Sequence, residues 1–307
     1  MGRADKSILI FGATGMLGRE LYCESKKRGF KTVGASRRGP DIANDLLDED
    51  SVSDLIGELS PDIIINSSVI VSHAECEENP TLAYGVNSRA VEIMATAATT
   101  VGSRLVQIST DHYFSGDGPK LHDEQAPVQL LNEYARTKYA GETFALTCPG
   151  ALVVRTNITG FRDGGGVVSF IEWVISVLES NEEFNLFEDY YTSTISTHQA
   201  AAILFDLLAH DVEGRINLAC REAASKQRFV ETVAKRIGRA TSHARPISVR
   251  NVLVDRAESV GLDVSRAEKI LGYRLPDLEE VVERLASEYE ERQQPTPDRQ
   301  ARQTKTG

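Results

Sequence analysis

A short apolar run, Ser7–Gly12 (SILIFG), opens into Gly12-Ala13-Thr14-Gly15-Met16-Leu17-Gly18, and an amphipathic stretch follows directly. Glycine at 12 permits a tight strand-to-helix turn. Glycine at 15 lets backbone N–H groups approach a pyrophosphate, and glycine at 18 lets the helix pack closely on the strand. Spaced glycines also serve turns that bind nothing. Here the strand before and the helix after supply the context that a dinucleotide site requires. Thr14, Met16 and Leu17 then join Gly12, Gly15 and Gly18 as cofactor-binding candidates.

The rest of the chain agrees with that beginning. Thr32–Ala35, Ile63–Ser67, Leu105–Ser109 and Ala151–Arg155 are further apolar, β-branched runs, with helical patterns near 15–29, 51–58, 80–101 and 132–147 between them. Continuous rather than alternating hydrophobicity predicts strands covered on both faces, hence a doubly wound α/β sheet of Rossmann type. Residues 1–160 read as the dinucleotide-binding domain, to which segments of 185–220 return. Residues 161–290 read as a smaller substrate lobe, with a glycine-rich turn at 163–166, helices near 167–179, 197–209, 225–238 and 276–290, and a strand at 214–218. Residues 291–307 are polar and Pro/Gln-rich, the composition of a disordered tail.

Composition narrows the function classes. Lys+Arg 34 against Asp+Glu 45 leaves a net charge of −11, which argues against nucleic acid and anionic membranes as partners. No apolar run is long enough to span a bilayer, and the start reads as strand rather than secretory signal. The four cysteines are scattered without a CxxC pair, which suits reduced thiols in a cytoplasmic protein. His73 and Cys76 have the only metal-like spacing, and with no further ligand beside them no metal site is expected.

The end of the second strand chooses the cofactor. An acidic residue about 20 positions beyond the glycines would bind an NAD ribose, but this chain has Ser36-Arg37-Arg38 there. Two guanidiniums suit a 2′-phosphate, so NADP(H) is expected, although a solvated basic turn has the same composition. Asp45 and Leu46 would flank the adenine. Ser67, Ser68, Val69 and Val71 would line the route to the nicotinamide.

Tyr134 and Lys138 stand four apart, on one helix face. A ketone receiving hydride also needs a proton, and free tyrosine has a pKa near 10. An ammonium about 4 Å away would contribute on the order of 4 kcal/mol at an effective dielectric of 20, drawing the phenol toward neutrality. Tyr22 and Lys26 show the same spacing but lie on the helix of the phosphate turn, as an ordinary surface pair. Tyr134 instead opens the helix beyond Ser109-Thr110-Asp111, and Thr110 can bond the substrate carbonyl. The substrate would lie among Asp111, His112 and Tyr113, the loop 71–74, and Asn157 with Ile158.

These residues together resemble extended short-chain dehydrogenase/reductases, and more narrowly the dTDP-4-dehydrorhamnose reductase family of nucleotide-sugar 4-ketoreductases. The matching segments are GATGMLGRE, DIIINSSV, ENPTLAYGVNS, QISTDHYFSGDG, NEYARTKYAGE and VVRTNITG, spread over the first 160 residues. The resemblance implies a Thr110–Tyr134–Lys138 triad and an NADPH-dependent reduction of a nucleotide-linked 4-keto-6-deoxy sugar, with Asp111 and His112 facing the sugar. It also implies a homodimer by default. His112 stands where that family has tyrosine, Ile158 where it has tryptophan, and Thr192-Ser193-Thr194 lacks its Gly and Pro. The Arg37–Arg38 pair also resembles the regulatory β subunit of methionine adenosyltransferase, an NADP-binding protein. Epimerase or dehydratase chemistry stays an alternative, the dehydratase through Asp111.

Overall fold

The chain forms the parallel strands β1 (Ser7–Phe11), β2 (Lys31–Ser36), β3 (Ile42–Ala43), β4 (Ile63–Asn66) and β5 (Arg104–Ile108). The strands Leu152–Arg155 and Gly214–Asn217 extend them into one seven-stranded sheet. Its order is Gly214–Asn217, Leu152–Arg155, β5, β4, β1, β2, β3, and every neighbouring pair is parallel. This computed structural model describes residues 6–162, 167–180, 182–251 and 257–294; the turn expected at 163–166 and residues 295–307 of the expected tail lie outside them.

The apolar runs are continuous because each strand faces two cores. Ile8, Ile10, Ile63, Ile65, Val106 and Val154 enter one, while Leu9, Phe11, Ile64, Leu105 and Val153 enter the other. Successive side chains of a strand point to opposite faces, so a strand covered twice has no polar side to spare. The strand order reverses between β1 and β4. Ligands of such sheets bind in the crevice outside the C-terminal strand ends at that reversal.

Two local expectations need correction. The helix expected over 80–101 is divided into Pro80–Tyr84, a π-helical turn Gly85–Arg89, and Ala90–Val101. Asn87 in the wide turn accepts from the Ile70 N–H at 2.9 Å and donates to the Ile70 carbonyl at 3.1 Å and to Thr137 at 3.2 Å. The Asn87 carbonyl also presses on the helix Glu133–Ala145, where a Cβ at Gly141 would lie 2.3 Å from it. The π turn thereby ties the segment after β4 to the helix that carries Tyr134. Part of the expected loop 71–74 is helical too, since a short helix spans His73–Glu78.

Later helices form at Phe170–Ser180, Thr197–Leu207, Lys226–Arg236 and Leu278–Gln293. The last of these runs into the stretch read as tail, through residue 293. Thr197–Leu207 packs Ala200, Ala201 and Leu204 into the core that holds Leu17 and Leu21 of the helix Met16–Lys27. A four-stranded mixed sheet of Ala224–Ser225, Tyr191–Thr192, Ser259–Leu262 and Leu121–His122 was not foreseen; three of its strands have two residues, too few for a period to read. The four cysteines are unbridged, with Cys23 exposed and the others buried. Among the described residues no helix is long and apolar enough to cross a membrane.

Candidate active site

The glycine turn is built so that only glycine fits at two of its positions. Gly12 has φ +78, and a Cβ there would stand 2.8 Å from the Ser68 nitrogen; a Cβ on Gly18 would stand 2.0 Å from the Gly12 carbonyl oxygen. Gly15 caps the helix Met16–Lys27 without a side-chain bond, and no acid occupies the first turn. The helix therefore presents unsatisfied N–H groups and its positive dipole end to the crevice, the requirement for holding a pyrophosphate. The Leu17 side chain is buried in the core, so only its backbone can face a cofactor.

Around this turn stand the other cofactor candidates. Thr14 bonds Ser36 at 3.0 Å, joining the glycine turn to the end of β2. Arg37 and Arg38 follow on an exposed turn and make no hydrogen bond or ion pair among the described residues. Asp45 is exposed and accepts from the Leu47 N–H at 3.1 Å, with Leu46 half-buried beside it. Ser67 donates to the Phe11 carbonyl at 2.8 Å and Ser68 lies against Gly12. Val69 and Val71 expose apolar side chains to solvent, 39% and 58%.

The second cluster sits at the ends of β4 and β5. Asn132 caps the helix Glu133–Ala145 by accepting from the Ala135 N–H at 2.9 Å, which sets Tyr134 in the first turn. The Tyr134 ring is buried, 4.8 Å from His73 and 5.7 Å from His112 between centroids, while the two histidine rings lie 4.8 Å apart. Burial raises the phenol above its ordinary pKa, opposed by a hydrogen bond from Thr110. This reverses the lowering expected from a nearby ammonium. Lys138 is buried and donates to the Ile108 carbonyl at 2.8 Å rather than to Tyr134. Burial brings its ammonium down to about 8.

Asp111 stands beside this cluster as a buried acid. It is 1% exposed and burial pushes it up to about 7, against the help of an Asn157 hydrogen bond at 2.7 Å. Asn157 in turn accepts from Thr194 at 2.7 Å, and Thr194 meets Thr192 at 2.9 Å. The Thr192–Thr194 segment, a departure from the family pattern, thus supplies a hydroxyl chain that ends on Asp111. His112 Nε2 is 3.8 Å from the Asp111 carboxylate. Ile158 is partly buried and packs on the main core, in a strand paired with Ile195–Ser196. Tyr113 is no part of the crevice wall: it is fully buried, 3.2 Å from Ser109, with the Arg155 guanidinium 5.0 Å from its ring centroid.

Two further groups escaped sequence reasoning. Glu142, fully buried, accepts from Ser109 at 2.7 Å, from Arg155 at 3.0 and 2.9 Å, and from Arg215 at 2.9 Å. Burial opposes its ionisation, but the guanidiniums win and hold it below the usual carboxylate range. Its position four residues after Lys138 was a legible hint; its partners were not. Lys226 puts its ammonium 4.0 Å over the Phe170 ring and 5.5 Å from that of Tyr190. Burial lowers it to about 8, opposed by the charge of Asp111. No motif marks it. The HxxC pair diverges, His73 lying tilted against the Tyr134 ring while buried Cys76 turns to the Ile70 carbonyl at 3.7 Å. Among the described residues a group of three acids within ligating distance, Glu222, Asp277 and Glu279, is paired with Arg221 and Arg228.

Comparison with known proteins agrees with this arrangement. The methionine adenosyltransferase 2 subunit beta of Xenopus laevis is 31% identical over 290 residues, 89% of this chain and 85% of that protein. The dTDP-4-dehydrorhamnose reductase of Salmonella typhimurium is 28% identical over 212 residues, 69% and 68% of the two chains. A dTDP-4-dehydrorhamnose reductase from Bacillus anthracis, solved in complex with NADP, shares the fold with a TM-score of 0.83 at 24% identity, covering 92% of this chain and 99% of that one. The family model described as RmlD substrate binding domain matches residues 6–291, and the chain belongs to that family.

Proposed function

We propose that the chain is an NADPH-dependent reductase of a nucleotide-linked 4-keto-6-deoxy sugar. The observation that carries this reading is the buried Tyr134 hydrogen-bonded to Thr110 at the end of β5, with Lys138 buried on the same helix and bonded to the Ile108 carbonyl. The residues fit the cofactor: the cradle at Gly12 and Gly18 would be filled by any side chain, and two exposed arginines stand where a 2′-phosphate would lie. When bound, NADPH supplies the hydride that reaches the ketone carbon.

The side chains supply the rest of the reaction. Thr110 orients the ketone by a hydrogen bond. Tyr134, kept protonated by its burial, gives its proton to the ketone oxygen as that oxygen gains charge. Lys138, buried beside the strand end, compensates the phenolate left behind and would hold a ribose hydroxyl of the cofactor. Asp111, through Asn157, and His112 face the sugar.

A second reading, an NADP-binding regulatory subunit, is favoured by the longer β-subunit match, 89% of the chain against 69% for the reductase. One assay separates the two. Cofactor oxidation is followed with a panel of nucleotide 4-keto-6-deoxy sugars, NADPH against NADH. Turnover with NADPH and at least one sugar is expected; tight NADPH binding with no turnover on any of them would transfer the assignment to the regulatory reading.

A further inference from the structure

The turn carrying Arg37 and Arg38 is fastened from beneath by residues that the catalytic reading leaves unused. The turn leaves β2 at Ser36, and its far side returns at Asp41. The Asp41 N–H reaches the Gly34 carbonyl at 3.3 Å, and its carboxylate accepts the Gly34 N–H at 2.8 Å. That carboxylate also accepts the Tyr22 hydroxyl, at 2.8 and 3.0 Å to its two oxygens. Lys26 donates to the same hydroxyl and lies 4.1 Å from the ring centroid. The Tyr22 ring closes the space around Gly34, where an added Cβ would meet Pro40 at 2.7 Å, Ala13 at 2.8 Å and Tyr22 at 3.0 Å. Tyr22 therefore packs beside Gly34 of β2 and reaches the arginine turn through Asp41.

Two physical consequences follow. A two-arginine turn closed by several hydrogen bonds has little freedom left to lose when it binds an anion. In addition, a carboxylate near that turn would repel a phosphate, but this one already bonds a phenol and a backbone N–H, with an ammonium close by. We propose that Tyr22 and Lys26, acting through Asp41, are positioning residues for cofactor choice: they hold the Arg37–Arg38 turn in shape and compensate its nearby acid, so that a 2′-phosphate is favoured. This rests on the NADPH reading above. The tyrosine–lysine spacing in the first helix then serves selection of the cofactor, while the same spacing in the helix Glu133–Ala145 serves the reaction.

The test is direct binding of NADPH and NADH by calorimetry to the wild type, Tyr22→Phe and Lys26→Met. Phenylalanine keeps the ring packing and removes only the hydroxyl; Lys26 is exposed, so its loss does not threaten the fold. Each variant should weaken NADPH by about fivefold, the scale of one lost hydrogen bond or close charge, with NADH within about twofold. A merely structural role would weaken both cofactors alike. Equal weakening of both, or no change in either variant of a protein that prefers NADPH, would overturn the inference. A wild type without preference for NADPH would overturn the cofactor reading itself and the brace with it.

Discussion

Asparagine in place of Asp111 keeps the shape of the side chain and the acceptor that Asn157 uses, and removes only the charge. Burial lifts the carboxyl from the ordinary 3.8 to about 7. Between these values the folded protein holds a proton that the unfolded chain has released, so stability falls as pH rises through that window. Measured against the protonated acid, the group costs about 1.5 kcal/mol near pH 5 and about 4 kcal/mol near pH 8, where both states are ionised. The wild type should therefore lose roughly 2–3 kcal/mol from this one group across that interval, and Asp111→Asn should not. The charge of Lys226 favours the ionised acid and is already contained in that position of about 7. Urea unfolding of both proteins at several pH values measures the effect. The variant should gain on the wild type by about 2 kcal/mol or more from acid to mild alkali. Parallel stability–pH curves would refute the reasoning, because they would mean that Asp111 ionises in the fold as freely as in water.

Three other outcomes follow from the same geometry. The Arg37→Ala, Arg38→Ala pair should lose at least about tenfold in NADPH affinity with NADH binding nearly unchanged, measured by fluorescence titration; similar losses for both would remove these arginines from the 2′-phosphate site. Tyr134→Phe should keep NADPH binding and lower turnover by about 10²-fold or more in the sugar-panel assay, and near-normal turnover would eliminate the phenol as proton donor. Glu142→Gln leaves Arg155 buried with its countercharge gone and should cost about 3–5 kcal/mol in urea unfolding; a loss below about 1 kcal/mol would show that the network carries no net stability.

What the sequence discloses and what it hides divide by distance along the chain. Gly12, Gly15 and Gly18 are legible because the turn they make is local, and the strands are legible because two cores demand unbroken apolar runs. Arg37 and Arg38 announce themselves by standing where an acid would serve NAD. Tyr134 and Lys138 are visible as a helical spacing, but spacing does not disclose that the ammonium goes to the Ile108 carbonyl or that burial raises the phenol. Tyr22 shows the same limit: its spacing with Lys26 is readable, while its bond to Asp41 depends on how β2 turns. Lys226 is the extreme case. It reaches the charge field of Asp111 only because the helix Lys226–Arg236 begins beside Tyr190, and nothing in its neighbours' identities signals that approach.

The buried carboxylate of Glu142 also has a consequence for synthesis on the ribosome. One of its guanidinium partners, Arg215, lies 73 residues further along the chain, on the strand that pairs with Leu152–Arg155 at the rim of the sheet. Until that strand emerges, the carboxylate on the helix bearing Tyr134 lacks the second of its two guanidiniums, and Leu152–Arg155 presents a bare edge to any other nascent strand. The active-site half of the protein cannot finish folding vectorially, although nearly all the residues of its crevice have already been made. Its completion waits for the closing strand, and a chain halted short of residue 214 would leave the ribosome with its cofactor turn formed, its rim open and its central carboxylate short of the second of its two guanidiniums.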